Sequence, residues 1–276
     1  MKKKLVSLAK TVAFMGGGNM AEALVKGIVD SGLVAPGRLI ATDVRPERRA
    51  YLARTYRIKT LERNSEAVRA ADIIFIAVKP QQIEVLLREI GHFVSPRQLV
   101  ISIAAGITSG YIEHFLPRRT AVVRAMPNTP VLLKKGAIGI AKGKHVSSVQ
   151  FSIAKKLFAT AGVVAEFAEK DIDAVTALSG SGPAYVFYLA EAMVEAGVAM
   201  GLRRAAAEAL TRQTIFGAGS MLALSGEQGA AELRRKVTSP GGTTEAAITV
   251  LQKKKWSAIL IDALLHAQKR SHELSR

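Results

Sequence analysis

Cysteine is absent from this chain of 276 residues. Disulfides, thiolate nucleophiles and cysteine-based metal sites are therefore excluded. The five histidines are scattered along the sequence without the short spacing that metal ligands show, so no metal is expected. With neither thiols nor a metal, we expect the chemistry to come from an organic cofactor. The histidines are His92, His114, His145, His266 and His272.

Aromatic residues are also scarce, at 5% of the chain, whereas the formal net charge is +17. The basic residues are spread along the sequence, and so few aromatic side chains cannot build a stacking platform for nucleic acid. A solvated basic surface that attracts an anionic cofactor and an acidic substrate explains the charge better. The alternative is a non-enzymatic basic protein that binds nucleotides or other partners.

Long hydrophobic runs are missing as well, because no stretch approaches the ~20 apolar residues of a membrane-spanning helix. The opening segment Met1–Leu5 lacks the apolar region and the cleavage site of a signal peptide. We therefore expect a cytoplasmic protein. With 49% hydrophobic residues the chain can bury a sizeable core, and its length favours two domains over one.

Short β-rich runs alternate with helical patterns over the N-terminal part of the chain, which predicts βαβ units around a parallel sheet. Residues 1–167 are expected to form this domain. Ile73–Val78 is apolar on both faces, as expected of a strand between two helix layers. The predicted strands are Val12–Met15, Leu39–Thr42, Ile73–Val78, Val100–Ile103 and Ala121–Arg124, with weaker candidates at Ala137–Ala141 and Val163–Phe167.

Beyond Asp171 the β pattern stops and long Ala-rich helical stretches follow, which predicts a separate all-α domain over residues 168–276. The stretches are Ala184–Met200, Arg204–Leu224, Thr244–Gln252 and Ser257–Leu274. In the first of them, apolar residues recur every three or four positions. Such a face in a small helical domain is commonly buried against a partner, so a homodimer is expected. The apolar positions are Val186, Leu189, Ala190, Met193, Val194 and Val198.

A glycine-rich loop links the first predicted strand to the helix that follows it. Its pattern Gly16-x-Gly18-x-x-Ala21 matches the dinucleotide-binding fingerprint of doubly wound, Rossmann-type folds. The first glycine makes the tight turn, the second lets a pyrophosphate approach the backbone, and Ala21 permits close helix packing. Together with Asn19 and Met20, the loop is predicted to bind a nicotinamide dinucleotide.

The second predicted strand ends at an acidic residue, Asp43, which could hydrogen-bond the adenosine ribose and so favour NAD(H). Arg45, Arg48 and Arg49 follow closely and could hold the 2′-phosphate of NADP(H) instead. Arg48 and Arg49 also suit a helix that points them into solvent. The sequence slightly favours NADP(H), with either cofactor usable.

Ligands in open α/β sheets lie beyond the carboxyl ends of the strands. Ala77, Val78, Lys79 and Pro80 end one predicted strand and are expected beside the nicotinamide ribose. Ala104 ends the next strand in the same way. Asn128 follows a further strand between two prolines, where it serves either as a turn residue or as a nicotinamide contact.

Two short loops in the C-terminal part of the chain run straight into helical patterns, at Ser179–Pro183 and Ser239–Thr244. Unpaired backbone N–H groups at the start of a helix bind anions. These loops therefore predict a carboxylate-binding region. A nucleotide-binding half beside a small-acid half indicates a dehydrogenase or reductase.

The motifs, taken in order, resemble those of the pyrroline-5-carboxylate reductase family over almost the whole chain. Nucleotide loops are shared by many families, whereas the last two motifs are far more specific. The resemblance implies a Rossmann domain and a helical dimerisation domain that interlocks with its twin, with five dimers often forming a decamer. The motifs are Phe14–Ala23, Ala77–Gln81, Arg124–Pro130, Leu178–Tyr185 and Thr238–Thr244.

The same resemblance implies the reaction, which is hydride transfer from nicotinamide to the C=N carbon of 1-pyrroline-5-carboxylate to give L-proline, the last step of proline biosynthesis. It places the substrate carboxylate on the backbone N–H groups of Gly241, Gly242 and Thr243, and the Thr244 hydroxyl at the ring nitrogen. A protonated imine is already electrophilic, so the protein chiefly orients it.

Four further residues are candidates for the reaction. Ser179 or Ser181 would position the ring or a water, unless each hydroxyl only caps its helix. Lys79 and Glu227 would form an ion pair across the subunit boundary that closes the site, or else are two exposed charges.

Another imine reductase, or a β-hydroxy-acid reductase of the same architecture, is the alternative enzyme. The hydroxy-acid reaction needs a lysine or histidine base on the long helix Ala184–Met200, which contains neither.

Overall fold

The computed structural model describes residues 7–275, so the predicted absence of a signal peptide at Met1–Leu5 lies outside the described residues. The chain forms two compact units. The sheet unit runs to Ser181 and resumes at Ala267, and the helical unit spans Gly182–His266. The sequence placed the boundary after Phe167. The compact sheet unit extends further, since the residues after the last strand pack against other strands of the sheet.

The sheet unit contains one eight-stranded sheet in the order β3-β2-β1-β4-β5-β6-β7-β8. Neighbouring strands are parallel except for the antiparallel pair β6 and β7. This order places β1 at the point where the chain reverses its direction across the sheet, the position at which doubly wound sheets bind their ligands. The strands are β1 Val12–Met15, β2 Leu39–Thr42, β3 Lys59–Leu61, β4 Ile73–Ile76, β5 Leu99–Ser102, β6 Ala121–Met126, β7 Gly136–Lys142 and β8 Gly162–Phe167.

Helices cover both faces of the sheet because the central strands are apolar on both sides. In β1, Phe14 faces one hydrophobic cluster with α1 and α6, and Met15 faces the opposite cluster with α3, α4 and α5. Phe14 stacks on Phe75 of β4 with ring centroids 4.5 Å apart. The helices of this unit are α1 Asn19–Ser31, α2 Pro46–Tyr56, α3 Asn64–Ala70, α4 Ile83–Ile90, α5 Ser109–His114, α6 Ser148–Ala159 and α7 Ile172–Val175.

The predicted fold class is confirmed, and all seven predicted strands form, with ends that differ by one or two residues for most of them. The sequence missed β3, which has only three residues and an exposed Lys59. So short an edge strand carries no detectable alternation of apolar and polar positions. A π-helical turn, Thr176–Gly180, follows α7 and was not predicted either.

The helical unit consists of α8 to α11 and most of α12, and the first two of these helices pack together. Gly197 permits this contact, because a Cβ there would lie 2.8 Å from the Cβ of Ala207. Arg204–Leu224 was predicted with its observed bounds, whereas the short α10 was missed. The helices are α8 Gly182–Ala199, α9 Arg204–Leu224, α10 Ala230–Lys236, α11 Thr243–Lys253 and α12 Trp256–Leu274.

Many large apolar side chains of the helical unit are exposed in the single chain. On α8, Phe187 is 62% exposed and Tyr188 is 75% exposed, and Phe216 on α9 is 68% exposed. Val186 and Leu189 of the predicted apolar stripe are also exposed. So many exposed large apolar side chains on two neighbouring helices indicate an interaction site. Within residues 7–275, none of the helices is long and apolar enough to cross a membrane.

Candidate active site

The glycine loop between β1 and α1 has the shape of a pyrophosphate cradle. Gly16 has φ +100°, and a Cβ there would lie 2.9 Å from the carbonyl oxygen of Ala77. Gly18 precedes α1, and a Cβ there would meet no atom within 4 Å, so the backbone faces open space. The N–H groups of Asn19, Met20 and Ala21 in the first turn of α1 have no intrahelical acceptors. An anionic pyrophosphate fits this helix N-terminus.

Behind the loop lies a polar cluster that the sequence did not reveal. Arg48 donates through Nε to the carbonyl oxygen of Gly17 and through Nη2 to the carboxylate of Glu22. The hydroxyls of Tyr51 and Tyr56 donate to the same carboxylate. Burial alone would raise the pKa of Glu22, but hydrogen bonds led by that from Tyr56 lower it below the ordinary value. The cluster therefore fixes the conformation of the glycine loop with an ionised carboxylate.

Asp43 follows β2 and lies beside the glycine loop. Its carboxylate accepts from the N–H of Gly17 at 3.3 Å and from the N–H and Nε of Arg45, each at 3.0 Å. Burial raises the pKa of Asp43, and the hydrogen bonds from Arg45 outweigh that effect and lower it. The structure thus brings Asp43 and Arg45 together with the loop as the sequence predicted, and it pairs them with each other.

A cavity of about 420 Å³ lies at the carboxyl ends of β4 and β5, within the sheet unit. Pro80, after β4, and Ala105, after β5, line it from one side. The predicted residues Ala77, Val78, Lys79 and Ala104 occupy the same two strand ends, with Lys79 exposed and Ala104 buried. Thr176 and Ser181 line the cavity from the π-helical turn, and Arg270, Ser271 and Leu274 line it from α12.

The π-helical turn separates the roles of the two predicted serines. The Ser179 hydroxyl donates to the carbonyl oxygen of Val175 and so stays within the turn. Ser181 lines the cavity instead, together with Thr176, which the sequence reasoning missed. Single π-helical turns occur frequently at functional sites. This turn is visible only in the structure, so the sequence carried no signal for Thr176.

Asn128 holds this turn in place. Its Nδ2 donates to the carbonyl oxygen of Ser179 at 3.0 Å, and its Oδ1 accepts from the N–H of Ala137 at 2.9 Å. Both ends of the amide are therefore bound within the protein. Of the two predicted roles, this geometry favours the turn residue over the nicotinamide contact.

A buried charge cluster stands behind the same cavity. Arg124 of β6 is 3% exposed, and its Nη atoms lie 3.8 Å from Glu169 and 3.7 Å from Asp173. Its Nη2 has no hydrogen-bond partner among residues 7–275. Burial lowers the pKa of Arg124, while the two carboxylates oppose that shift. Asp173 also accepts from the hydroxyl of Ser271 at 2.8 Å, which fastens the last turns of α12 to the cluster.

In the helical unit, the predicted substrate loop leads into α11 through Gly241 at φ +72°. The N–H of Gly241 donates to the carboxylate of Glu245 at 2.7 Å, and the N–H of Gly242 donates to the carbonyl oxygen of Ser239. Two of the three predicted carboxylate-binding N–H groups are thus engaged within the chain. Glu245 was missed, although a glutamate in the first turn is a recognisable capping signal.

The remaining predicted residues lie around the same loop. Thr243 and Thr244 begin α11, where first-turn N–H groups have no intrahelical acceptor. Glu227 lies on the exposed turn between α9 and α10. Among the residues that the structure describes, no group of three or more histidines and carboxylates could hold a metal ion.

The dinucleotide cradle at the switch point of a doubly wound sheet, with a cavity at the neighbouring strand ends, defines a Rossmann-type nicotinamide-dependent oxidoreductase. Residues 169–274 match the family described as pyrroline-5-carboxylate reductase dimerisation, and residues 11–106 match a family described as NADP oxidoreductase, coenzyme F420-dependent. A pyrroline-5-carboxylate reductase of Pseudomonas aeruginosa is 45% identical over 96% of each chain. The chain belongs to the pyrroline-5-carboxylate reductase family.

Solved structures agree with this assignment. A pyrroline-5-carboxylate reductase from Coxiella burnetii superposes with a TM-score of 0.92 at 38% identity, covering 98% of this chain and 100% of that one. A pyrroline carboxylate reductase from Plasmodium falciparum, with NADP bound, gives a TM-score of 0.86 at 31% identity over 98% and 100% of the two chains. The predicted family is therefore confirmed.

Proposed function

We propose that this chain reduces 1-pyrroline-5-carboxylate to L-proline with a nicotinamide cofactor. The main observation in support is the 45% identity to a pyrroline-5-carboxylate reductase over 96% of both chains. The pyrophosphate cradle at Gly16 and Gly18 and the helix-starting loop at Ser239–Thr244 supply the two kinds of binding that the reaction needs.

The cofactor, when bound, supplies the hydride that reduces the C=N bond. Gly18 and the first turn of α1 would hold its pyrophosphate, and Asp43 with Arg45 would contact its adenosine end. Ala77 to Pro80 and Ala104, at the ends of β4 and β5, would flank its nicotinamide end. Asn128 supports the same edge of the sheet through the turn that carries Ser179.

The chain itself has to orient the imine and its carboxylate. We propose that the first-turn N–H groups of Thr243 and Thr244 receive the substrate carboxylate, because Gly241 and Gly242 already donate within the loop. Thr244 would hydrogen-bond the ring nitrogen through its hydroxyl. Ser181, on the wall of the cavity, would position the ring or a water.

Glu245 competes for the anion position of this loop, since its carboxylate occupies the N–H of Gly241. Glu245→Ala frees this donor and removes a like charge beside the N–H groups of Thr243 and Thr244 that are proposed to receive the substrate carboxylate. We expect KM for pyrroline-5-carboxylate to fall by about two- to fivefold with kcat little changed, because an exposed hydrogen bond of this kind is worth about 0.5–1 kcal/mol. Steady-state kinetics would measure this, with Glu232→Ala, in the first turn of α10, as control. An unchanged or raised KM would contradict it.

A direct assay tests the proposed reaction. Nicotinamide oxidation is followed with 1-pyrroline-5-carboxylate, using NADPH and NADH in parallel and detection of proline as the product. Rapid oxidation that forms proline is the expected result. Oxidation only with other cyclic imines would make the chain a different imine reductase. Tight binding of duplex DNA at physiological salt, without turnover, would instead favour the basic interaction protein.

The helical unit is a family dimerisation region, so we propose that the protein forms a homodimer through its exposed apolar helices. Light scattering should give a solution mass of at least two chains. A decamer of five dimers, a Lys79–Glu227 ion pair across the subunit boundary and a cytoplasmic location stay predictions of the sequence. Lys79 and Glu227 are both exposed in the single chain, which leaves them accessible for such a pair.

A further inference from the structure

The cavity at the carboxyl end of β2, about 220 Å³ in volume, is lined by three carboxylates. Asp43, Glu62 and Glu89 supply them, and none of the described residues that line the cavity is basic. Gly16 of the pyrophosphate cradle lines the same cavity. In a doubly wound sheet this is the position of the adenosine ribose, where the 2′-position carries either a hydroxyl or a phosphate.

The carboxylate of Asp43 is held in a fixed orientation at the wall of this cavity. Its side chain is 9% exposed, and the N–H of Gly17 and the guanidinium of Arg45 hold it in one orientation. Its lowered pKa keeps the carboxylate ionised near neutral pH. A fixed carboxylate accepts from ribose hydroxyls and repels a phosphate dianion at the same point.

Two of the three arginines that favoured NADP(H) in the sequence are already bound to other groups of the protein, and the partner of Arg49 is Glu62 of the cavity lining. Arg48 contacts the carbonyl oxygen of Gly17 and the carboxylate of Glu22. Arg49 donates to the carbonyl oxygens of residues 43 and 44, and to the carboxylate of Glu62 at 3.0 Å. Binding a phosphate through either side chain would break these contacts and leave a carboxylate without its partner.

Arg45 is the remaining candidate, with a side chain that is 57% exposed. Its Nε and Nη2 contact both carboxylate oxygens of Asp43, at 3.0 Å and 3.3 Å. A 2′-phosphate would have to take Arg45 away from Asp43 and then lie next to that uncompensated carboxylate. A ribose hydroxyl has to displace only the 3.3 Å contact of Nη2, because Nε stays on Asp43 and the two charges remain paired.

We infer that the cavity selects NADH over NADPH and that Asp43 is the residue that determines this specificity. The inference rests on the proposed function, because it requires a nicotinamide cofactor in the cradle. It reverses the slight preference for NADP(H) that the arginine-rich sequence after Asp43 favoured.

Isothermal titration of the full chain with NADH and NADPH, in phosphate-free buffer at fixed ionic strength, tests the inference without turnover. We expect NADH to bind at least about tenfold more tightly, since one hydrogen bond to a charged group corresponds to roughly that factor. Asp43→Asn keeps an acceptor for the N–H of Gly17 and removes the charge. This variant should shift the ratio of the two dissociation constants by about tenfold or more toward NADPH.

Glu47→Gln is the matched control, because it removes an acidic charge from the first turn of α2 outside the cavity lining. It should leave the ratio unchanged. NADPH binding as tight as NADH binding in the unaltered chain would overturn the inference, as would an unchanged ratio in Asp43→Asn with the fold intact by circular dichroism. Failure of both nucleotides to bind would overturn the inference and the proposed cofactor together. Selective NADH binding without reduction of pyrroline-5-carboxylate would support the inference and reject only the proposed substrate.

Discussion

Replacing Asp173 with alanine is expected to destabilise the fold by about 3 kcal/mol, the usual cost of removing one partner from a buried ion pair. Arg124 is 3% exposed, and Asp173 and Glu169 are the carboxylates beside its guanidinium. Without Asp173, the buried guanidinium loses half of its compensating charge. Ser271 also loses its hydrogen-bond acceptor on α7, so the last turns of α12 become less firmly attached. Denaturant unfolding of the variant measures the loss.

Asp171→Ala provides the control for this prediction. Asp171 precedes α7, is exposed and forms no side-chain hydrogen bond or ion pair within residues 7–275, so its loss should change stability by less than about 0.5 kcal/mol. The stability of Asp173→Asn should lie between those of the two alanine variants, because asparagine keeps an acceptor for Ser271 but not the charge. Equal stability of the Asp171 and Asp173 alanine variants would show that the buried cluster contributes nothing to the fold.

Loss of the Thr244 hydroxyl is expected to lower kcat by on the order of 100-fold, the lower end of the range observed when one well-placed proton donor or hydrogen bond is removed. Thr244 lies in the first turn of α11, and its hydroxyl has no hydrogen-bond partner among the described residues. The hydroxyl is thus available to donate to the ring nitrogen, which gains electron density as hydride adds to the C=N carbon. Because that interaction strengthens in the transition state, Thr244→Ala should reduce kcat and kcat/KM together.

Two further variants separate this role from a structural one. Thr244→Ser keeps the hydroxyl and should retain most of the activity. Thr249→Ala removes an exposed hydroxyl from the same helix and should leave the kinetics unchanged. Activity of Thr244→Ala equal to that of the unaltered chain would remove Thr244 from the mechanism, provided that both proteins unfold at the same denaturant concentration.

The strands of the sheet were predictable where local pattern and burial agree. Ile73–Ile76 is apolar on both faces, and a strand between two helix layers is the arrangement that such a run requires. The ends were less accurate, since the last residues of a strand are decided by pairing with its neighbours. β3 could not be predicted, because three residues with an exposed Lys59 gain their order only from β2 beside them.

Candidate residues near a local motif were also predictable. Gly16 and Gly18 are recognisable because a positive φ and a close approach of backbone to ligand both require glycine. Thr176 and Glu245 were not predicted. The position of Thr176 depends on a π-helical turn, and the role of Glu245 depends on a side chain that folds back onto its own loop. The partners of the three arginines near Asp43 were equally unpredictable, because packing brings them together.

The sequence by itself determined the glycine loop, the alternation of strands and helices, the all-helical C-terminal region and the loops that lead into α8 and α11, because each depends on residues that are close together along the chain. Only the tertiary structure decided the partners of Arg48, Arg49 and Arg124. Ser271 and Asp173 are 98 positions apart, yet they share a hydrogen bond behind the cavity. Contacts over such separations arise from packing, and a buried charge takes whichever partner the fold places beside it.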